Sequence, residues 1–479
     1  MTREKSSKKL IRKEIYVVAI MFAIVFVAMM VYLGRFVQYG SKEFIYNSYN
    51  SRFSVFADDV SRGSIFTSDG HVIAQTAYDD EHKEVRNYPD GRLFCHAVGY
   101  VGKGMSGLEA SYSFDLLKSH ITLSDQINNN LTGNKSPGDS LYTTFDYETQ
   151  KAAFDGLGMF DGAVIAIEPE TGRVVAMVSK PDYDPNTIST YWDDITDSTK
   201  NKSVLLNRAT QGAYPPGSTF KIVTTLAYLR DNNGDSDFSY KCKGSIKVDD
   251  YTIHCSSGEV HGSENLLKAF SNSCNSAYAY MGLNMNRDVF INTAEDLLFN
   301  KSLPVGFEPT KKSVFKVDSS TKDSILAQTA IGQGETTVSP LHMCMLVSAI
   351  ANDGVLMEPY YADKIVSAEG DIVQQTKETS YGQIMTEAEA KSLQEYMAAV
   401  VMDGTAEKVD FGNLTVYGKT GTAEYTNNKS ITHSWFVGYA TDNTGKKLAI
   451  AVIMEGAGYG SKHAAPLAAD VFNAYFDIQ

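Results

Sequence analysis

Apolar residues are concentrated near the N-terminus in one uncharged run. Residues 15–34 read IYVVAIMFAIVFVAMMVYLG, twenty positions without a charge. At about 1.5 Å of rise per residue, a helix of this length spans the hydrocarbon core of a bilayer. A buried core helix or a cleavable signal peptide would be the alternatives. The run, however, ends at Leu33-Gly34-Arg35-Phe36 without the small residues of a cleavage site. We therefore predict an uncleaved transmembrane anchor over residues 15–34.

The charges around this run predict its orientation. Six of the first thirteen residues are Lys or Arg. Positive charge stays on the cytoplasmic side of a membrane span, so residues 1–14 are predicted to form a cytoplasmic tail. Everything from about residue 35 onward is then expected outside the cytoplasm.

Beyond the anchor the pattern divides into two regions. In residues 35–150, turn sequences such as Asp69-Gly70 and Asp90-Gly91 break short apolar runs. Short apolar runs separated by turns predict a small, strand-containing domain, which we call the N-terminal module. Residues 146–157 (DYETQKAAFDGL) have helical composition and are expected to lead into a main domain over residues 151–479.

The main domain is predicted to be an α+β fold. Two β-rich runs at residues 162–168 and 173–179 flank the turn sequence PETG. A mainly helical region is expected from about residue 207 to 403. Three further strands and a closing helix follow, with predicted bounds 414–424, 434–440, 448–454 and 464–476. One antiparallel sheet of about five strands, with helices on both faces, satisfies this order.

The net charge of the chain narrows its possible partners. It is −14 over 479 residues, so a nucleic-acid partner, which needs a basic surface, is excluded.

The cysteines bear on disulfides and metal binding. Their number, five, is odd. Cys242 and Cys255 bracket a predicted hairpin and leave two alternatives open, a disulfide or two free thiols. No Cys/His group shows zinc-finger spacing, so neither a metal nor an organic cofactor is predicted.

The clearest chemical signal is the stretch YPPGSTFK, residues 214–221, followed by the apolar run IVTTLAYLR. Pro and Gly end a loop there and a buried helix begins. Ser218 and Lys221 are three residues apart and point the same way at the helix start. A serine hydroxyl needs an adjacent base to act as a nucleophile, and a lysine is such a base only when burial lowers its pKa.

Two further elements complete a constellation. Ser273 and Asn275, in the triplet SCN, can relay a proton and hold a substrate amide. Residues 419–422 (KTGT) fall on a predicted strand, whose edge suits pairing with an extended peptide. Lys419, Thr420 and Thr422 can hold a carboxylate, and Gly421 allows close approach. Each element alone has an ordinary structural explanation, and the hypothesis depends on all three occurring in this order.

With these elements the sequence resembles the penicillin-recognising serine enzymes, and within them the class B penicillin-binding proteins, the monofunctional transpeptidases. Further matching stretches are residues 181–186 (PDYDPN), 207–209 (NRA), 261–262 (HG), 333–334 (QG) and 435–438 (WFVG). In the N-terminal module, Arg62-Gly63 with Ile65 and Gly107-Leu108-Glu109 resemble the class B pedestal domain, which is also called a dimerisation domain. One departure is residues 67–70, which read TSDG where the pedestal usually has DRNG.

The resemblance implies a role for each residue. Ser218 attacks the penultimate D-Ala carbonyl of a peptidoglycan stem peptide, and Lys221 takes the serine proton. Ser273 and Asn275 assist proton transfer, while Lys419, Thr420 and Thr422 hold the terminal carboxylate. The backbone N–H groups of Ser218 and Thr422 would form the oxyanion hole. β-Lactam antibiotics would mimic the D-Ala-D-Ala end of the stem peptide and acylate Ser218.

Several alternatives share the three elements. A β-lactamase needs a residue that activates water for deacylation, and the sequence does not identify one. A D,D-carboxypeptidase would pass the acyl group to water, and sequence does not decide the acceptor. A β-lactam sensor would be expected to carry a cytoplasmic output module, and an inactive scaffold to have lost catalytic residues. We further expect a membrane glycan polymerase as partner, because the chain shows a single anchor and no glycosyltransferase region.

Overall fold

In a computed structural model, the structure describes residues 2–36, 57–197, 199, 203–307, 309–424 and 431–477. The first element is the long helix α1, Thr2–Arg35. Its segment Glu14–Arg35 has a mean hydropathy of 2.7, and none of it is buried against the rest of the protein. Length and composition therefore fit a single membrane span, and the helix predicted over residues 15–34 is confirmed.

The N-terminal module is built from short strands and helices. Its strands are β1 Val60–Ser61, β2 Ile65–Phe66, β3 Val72–Tyr78, β4 Glu84–Asn87, β5 Val101–Gly102, β6 Gly104–Met105, β7 Ser136–Pro137 and β8 Ser140–Thr143. Its helices are α2 Cys95–Val98, α3 Gly107–Ser111, α4 Ser113–Leu116 and α5 Leu123–Thr132, with a 3₁₀ turn at Gly91–Phe94.

A buried ion cluster explains the two pedestal-like sequences of this module. The Glu109 carboxylate is fully buried and accepts hydrogen bonds from Arg62 Nε at 2.7 Å and Arg86 Nε at 2.6 Å. Burial alone would raise the pKa of Glu109, but the two guanidinium groups hold that pKa below its ordinary value. Since both Arg62 and Arg86 lose water on burial, the cluster depends on all three groups being present.

The main domain contains the remaining elements. Its helices are α6 Tyr147–Leu157, α7 Trp192–Thr196, α8 Arg208–Gln211, α9 Lys221–Asp231, α10 Leu266–Ser271, α11 Asn275–Asn284, α12 Arg287–Asp296, α13 Asp323–Ala330, α14 Pro340–Ala351, α15 Glu387–Met402 and α16 Ala464–Tyr475. Its strands are β9 Gly162–Ile167, β10 Val174–Lys180, β11 Tyr240–Cys242, β12 Ser245–Val248, β13 Tyr251–His254, β14 Gly262–Glu264, β15 Val355–Met357, β16 Ala362–Val366, β17 Ile372–Gln375, β18 Ser380–Gln383, β19 Thr415–Glu424, β20 Thr432–Thr441 and β21 Lys447–Met454. Gly217–Phe220 and Ser256–Gly258 form 3₁₀ turns.

Five of these strands form the central sheet. Its order is β10-β9-β21-β20-β19, and every pair is antiparallel. The buried helix α14 lies against β9, β20 and β21, while α6 and α16 pack together, α6 against β10 and α16 against β21. The prediction of about five antiparallel strands covered by helices is confirmed, and β19 lies at one edge of the sheet.

Two parts of the main domain differ from the prediction. The region 207–403 was expected to be mainly helical, but it contains eight short strands, β11 to β18. β16 and β17 also leave the main domain and extend the sheet of the N-terminal module, whose order is β17-β16-β8-β2-β3-β4. β17 is exposed on both faces and has little alternation to recognise, and β8, which pairs with β16, is more than 200 residues away from it in the chain.

Candidate active site

Ser218 lies in a tight turn that ends at a buried helix. The 3₁₀ turn Gly217–Phe220 leads directly into α9, so Ser218 and Lys221 fall one turn apart. Gly217 has a φ of +53°, and its N–H donates to the Gly332 carbonyl at 2.8 Å. A Cβ on Gly217 would lie 2.6 Å from the Thr422 carbonyl oxygen. Glycine is therefore required at position 217. It lets the turn Gly217–Phe220, which we call the serine turn, approach β19 closely.

Lys221 is fully buried at the base of this turn. Its Nζ donates to the Ser273 carbonyl at 2.6 Å and to Asn275 Oδ1 at 2.8 Å, and it lies 3.1 Å from Ser273 Oγ. Burial lowers the pKa of Lys221 to about 7. A neutral amine has two N–H groups, which these two acceptors satisfy, and one lone pair remains to accept a proton.

A second buried lysine reaches the same serine from β19. Lys419 is fully buried, and its Nζ donates to Ser273 Oγ at 2.9 Å and to the Thr420 carbonyl at 3.1 Å. Burial, together with the nearby charge of Lys221, lowers the pKa of Lys419. The Ser273 hydroxyl thus bridges two amines. It can accept from Lys419 and donate to Lys221, which makes it a path for a proton.

Ser273 and Asn275 are held by backbone geometry around them. Ser273 has a φ of +55°, a conformation that non-glycine residues rarely adopt, and Cys274 is the N-cap of α11. Asn275 Nδ2 donates to the His254 carbonyl at 2.9 Å. The Asn275 amide is therefore fixed at both ends, with Lys221 on its oxygen and the β13 backbone on its nitrogen.

Residues 419–422 lie at the sheet edge as predicted. Thr420 shares a hydrogen bond with the hydroxyl of Thr405. An added Cβ on Gly421 would lie 2.9 Å from Thr219 Cγ2 and 3.0 Å from Trp435 Cβ. The missing side chain of Gly421 thus makes room for the serine turn and for the neighbouring strand.

The predicted site residues meet around one large cleft. Its volume is about 1230 Å³. Six of the eight line it, namely Ser218, Ser273, Asn275, Thr420, Gly421 and Thr422, while Lys221 and Lys419 contact Ser273 from below. The structure therefore brings together all eight, which come from three distant parts of the chain.

Three contributors to the site were not found by sequence reasoning. Thr405 lies after α15 in a loop without a recognisable pattern, the His254 carbonyl carries no side-chain signal, and Gly332 contributes only its carbonyl to Gly217. Backbone carbonyls are present at every residue, so only the fold selects which of them hold the site.

A second cluster includes Cys274, the middle residue of the triplet SCN. Cys242, Cys255, His261 and Cys274 place one potential ligand atom each within 4.8 Å of one another. Their separations of 13, 6 and 13 residues do not match a zinc-finger pattern, which is why the sequence predicted no metal site. All five cysteines are free thiols, and the sulfurs of Cys242 and Cys255 are 3.7 Å apart.

Comparison with known proteins now identifies the family. The family model of the penicillin binding protein transpeptidase domain matches residues 162–473. The chain belongs to this family. The model of the penicillin binding protein A dimerisation domain matches residues 62–141. The resemblance drawn from the three sequence elements is therefore confirmed.

Individual relatives agree with this assignment. Peptidoglycan D,D-transpeptidase PbpA of Mycolicibacterium smegmatis is 29% identical over 84% of this chain and 86% of its own. A D,D-transpeptidase domain from Eggerthella lenta matches with a TM-score of 0.78 at 28% identity, covering 88% of this chain and 99% of that one. The imipenem acyl-enzyme complex of penicillin-binding protein A from M. tuberculosis has a TM-score of 0.77 at 25% identity, covering 88% and 100%. The predicted fold class is thereby confirmed.

Proposed function

We propose that this chain is a membrane-anchored peptidoglycan D,D-transpeptidase with Ser218 as its nucleophile. One observation carries the proposal. Two buried lysines, Lys221 and Lys419, converge on the Ser273 hydroxyl beneath the cleft that Ser218 lines. An ordinary core does not bury two unpaired amines, since desolvation of an ammonium is costly. Among the described residues neither lysine forms a salt bridge, so a chemical role is the better explanation.

In the first step Ser218 Oγ bonds to the carbonyl carbon of the penultimate D-Ala of a stem peptide. The Ser218 proton passes to neutral Lys221, whose other polar neighbours hold it in place. The C–N bond to the terminal D-Ala then breaks. The proton returns through the Ser273 hydroxyl to the departing amine, which leaves as free D-Ala.

Substrate binding and charge stabilisation involve β19. The terminal carboxylate would be held by Lys419 and by the hydroxyls of Thr420 and Thr422. The backbone N–H groups of Ser218 and Thr422 would stabilise the oxyanion, a contribution of about 3–4 kcal/mol in comparable sites. The close approach between Gly217 and Thr422 supports this pairing, because it brings the two backbones to one point.

In the second step an amine of a neighbouring stem peptide attacks the acyl-enzyme. Ser218 leaves and recovers its proton from the incoming amine, and a cross-link between two strands remains. A β-lactam would acylate Ser218 in the same way, but its leaving group stays attached to the drug.

We also propose the following domain boundaries. Residues 1–14 form a cytoplasmic tail, 15–34 the membrane anchor, 35–150 the pedestal domain and 151–479 the transpeptidase domain.

The benzylpenicillin adduct tests the nucleophile. Full-length protein in detergent is incubated with the drug, and its intact mass is recorded beside Ser218→Ala and the matched control Ser256→Ala, another serine that lines the cleft. We expect a stable one-drug adduct in the wild type and control but none in Ser218→Ala. An equal adduct in Ser218→Ala would refute the assignment. Rapid drug hydrolysis without an adduct would indicate a β-lactamase.

The acceptor needs a separate assay. Paired stem peptides are supplied and the products are separated by mass. A cross-linked dimer is expected, whereas hydrolysis alone would indicate a D,D-carboxypeptidase. Absence of both reactions in a folded protein would indicate a sensor or an inactive scaffold.

The anchor supports two further proposals. We place the N-terminus in the cytoplasm because Lys and Arg dominate residues 1–13. The catalytic domain then lies on the outer side of the cell membrane. A glycan polymerase in the same membrane would supply it with new glycan strands. A cysteine-accessibility label near each end of α1 tests the orientation. Cross-linking in membranes followed by purification tests the polymerase partner, and recovery of the chain without any polymerase would contradict it.

A further inference from the structure

Three thiols and one imidazole converge at a single point beside the cleft, whose lining includes Cys255 and His261. Cys242 Sγ lies 3.7 Å from Cys255 Sγ and 3.4 Å from His261 Nδ1, and Cys255 Sγ lies 3.8 Å from Cys274 Sγ. All three cysteines are buried, and the His261 side chain is only 7% exposed. Water has little access to the centre of this group.

These three distances are close to the edge lengths of a zinc tetrahedron, and the other pairs of ligand atoms lie within 4.8 Å of each other. Zn–S bonds of about 2.3 Å and Zn–N bonds of about 2.0–2.1 Å place two sulfurs about 3.8 Å apart and a sulfur about 3.6 Å from the nitrogen. Three thiolates with one imidazole form a closed ligand set typical of structural zinc. We propose that Cys242, Cys255, His261 and Cys274 bind one Zn²⁺ ion that holds Ser273 and Asn275 in position.

Neighbouring groups are arranged as supports for such ligands. The Gly244 N–H donates to Cys242 Sγ at 3.3 Å, and Ser276 Oγ lies 3.2 Å from the same sulfur. Glu259 Oε2 lies 3.7 Å from His261 Nε2, the ring nitrogen that points away from the sulfurs. Hydrogen-bond donors on thiolates and a carboxylate behind a ligating imidazole are the usual outer partners of zinc sites.

The local fold gives the ion a structural task. Cys242 ends β11, Cys255 follows β13, and His261 precedes β14, in a segment made of two separate two-stranded sheets. Isolated two-stranded sheets are only marginally stable in water. A four-ligand ion would tie both of them to Cys274, the N-cap of α11.

Cys274 also connects the ion to the catalytic geometry. It lies between Ser273, whose φ is +55°, and Asn275, whose side chain donates to the carbonyl of His254 next to Cys255. A left-handed conformation is unfavourable for a non-glycine residue, so it persists only where the surroundings enforce it. If one ion bound both Cys255 and Cys274, it would also hold Ser273 and Asn275, the two residues that contact Lys221.

Metal content tests the site itself. The full-length protein is purified in detergent without chelator from zinc-supplemented cells, and zinc per chain is measured by elemental mass spectrometry. We expect one ion in the wild type and in Cys344→Ala, a matched variant of a buried cysteine outside the cluster, and its loss in Cys274→Ala and His261→Ala. Cobalt exchanged into the wild type should show the intense visible bands of tetrahedral thiolate coordination.

Three results would overturn the site. One is zinc no higher in the wild type than in Cys274→Ala, and another is equal loss in Cys344→Ala. The third is a non-reduced mass two hydrogens below that of five free thiols, with no zinc bound, which would show a Cys242–Cys255 disulfide instead. Wild-type zinc content is measured on unmutated protein, so misfolding of a variant does not obscure it.

The proposed effect of the ion on the positions of Ser273 and Asn275, here called the positioning effect, rests on the proposed function and is measured separately. Zinc is removed with a chelator, and the rate of benzylpenicillin acylation is compared before removal, after it and after zinc is restored. A displacement of about 1 Å costs up to about 100-fold in rate, so we expect a fall of this order, mainly in the saturating rate constant, and recovery with zinc. An unchanged rate would refute the positioning effect. Absence of acylation in every form, with zinc bound, would instead refute the proposed function.

Discussion

The pH dependence of acylation is the sharpest consequence of the buried lysine pair. Lys221 has a pKa lowered to about 7 by burial, and only its neutral form can take the Ser218 proton. Because a lysine is neutral above its pKa, the acylation rate should rise with pH through about 7 and then level off. About half of the amines are neutral at pH 7 and about 1% at pH 5, so the rate should fall roughly 50-fold between these values.

A direct assay measures the second-order rate of acylation with a fluorescent penicillin from pH 5 to pH 9. Circular dichroism at each pH verifies that the protein stays folded. Lys221→Arg should lose acylation across this range because a guanidinium keeps its proton, whereas Lys408→Arg, an exposed control, should retain the wild-type profile. A rate that is constant between pH 5 and pH 8, or that falls as the pH rises, would refute Lys221 as the base.

Three further outcomes are expected. Gly421→Ala should slow acylation at least tenfold, because a Cβ there meets the serine turn, whereas Gly306→Ala, which has open space, should not. Glu109→Ala should lower the free energy of unfolding by about 3–5 kcal/mol in denaturant titrations, since it leaves two buried guanidinium groups unpaired, and Glu81→Ala at an exposed position should change it little. Thr405→Val should reduce the acylation rate about two- to tenfold through loss of its hydrogen bond to Thr420 on β19, and an unchanged rate would remove Thr405 from the site.

Much of the architecture was predictable from local pattern. The uncharged run of residues 15–34, the hairpin β9–β10 and the strands β19 to β21 each carry their own periodicity or turn signal. The turn into α9 was visible as well, because Pro, Gly and an apolar helix follow one another in sequence. These features depend on neighbouring residues, so composition and spacing are enough to reveal them.

Contacts between distant segments were not predictable in this way. The Lys419 amine reaches the Ser273 hydroxyl across 146 residues of chain, and β16 joins the sheet of the N-terminal module. Only family resemblance suggested the first of these, and nothing in the sequence suggested the second. Hydrogen bonds across such distances follow from how helices and sheets pack, which no short window of sequence contains.

The cysteine cluster shows most clearly the difference between what local sequence predicts and what the tertiary structure decides. The sequence determined that Cys242, Cys255 and Cys274 exist and that a hairpin lies between the first two. Their separations gave no metal pattern, because the ligand atoms come from different strands and from a helix cap. Only the tertiary structure decided that three thiols and His261 converge on one point, since this convergence requires the two small sheets to fold against α11.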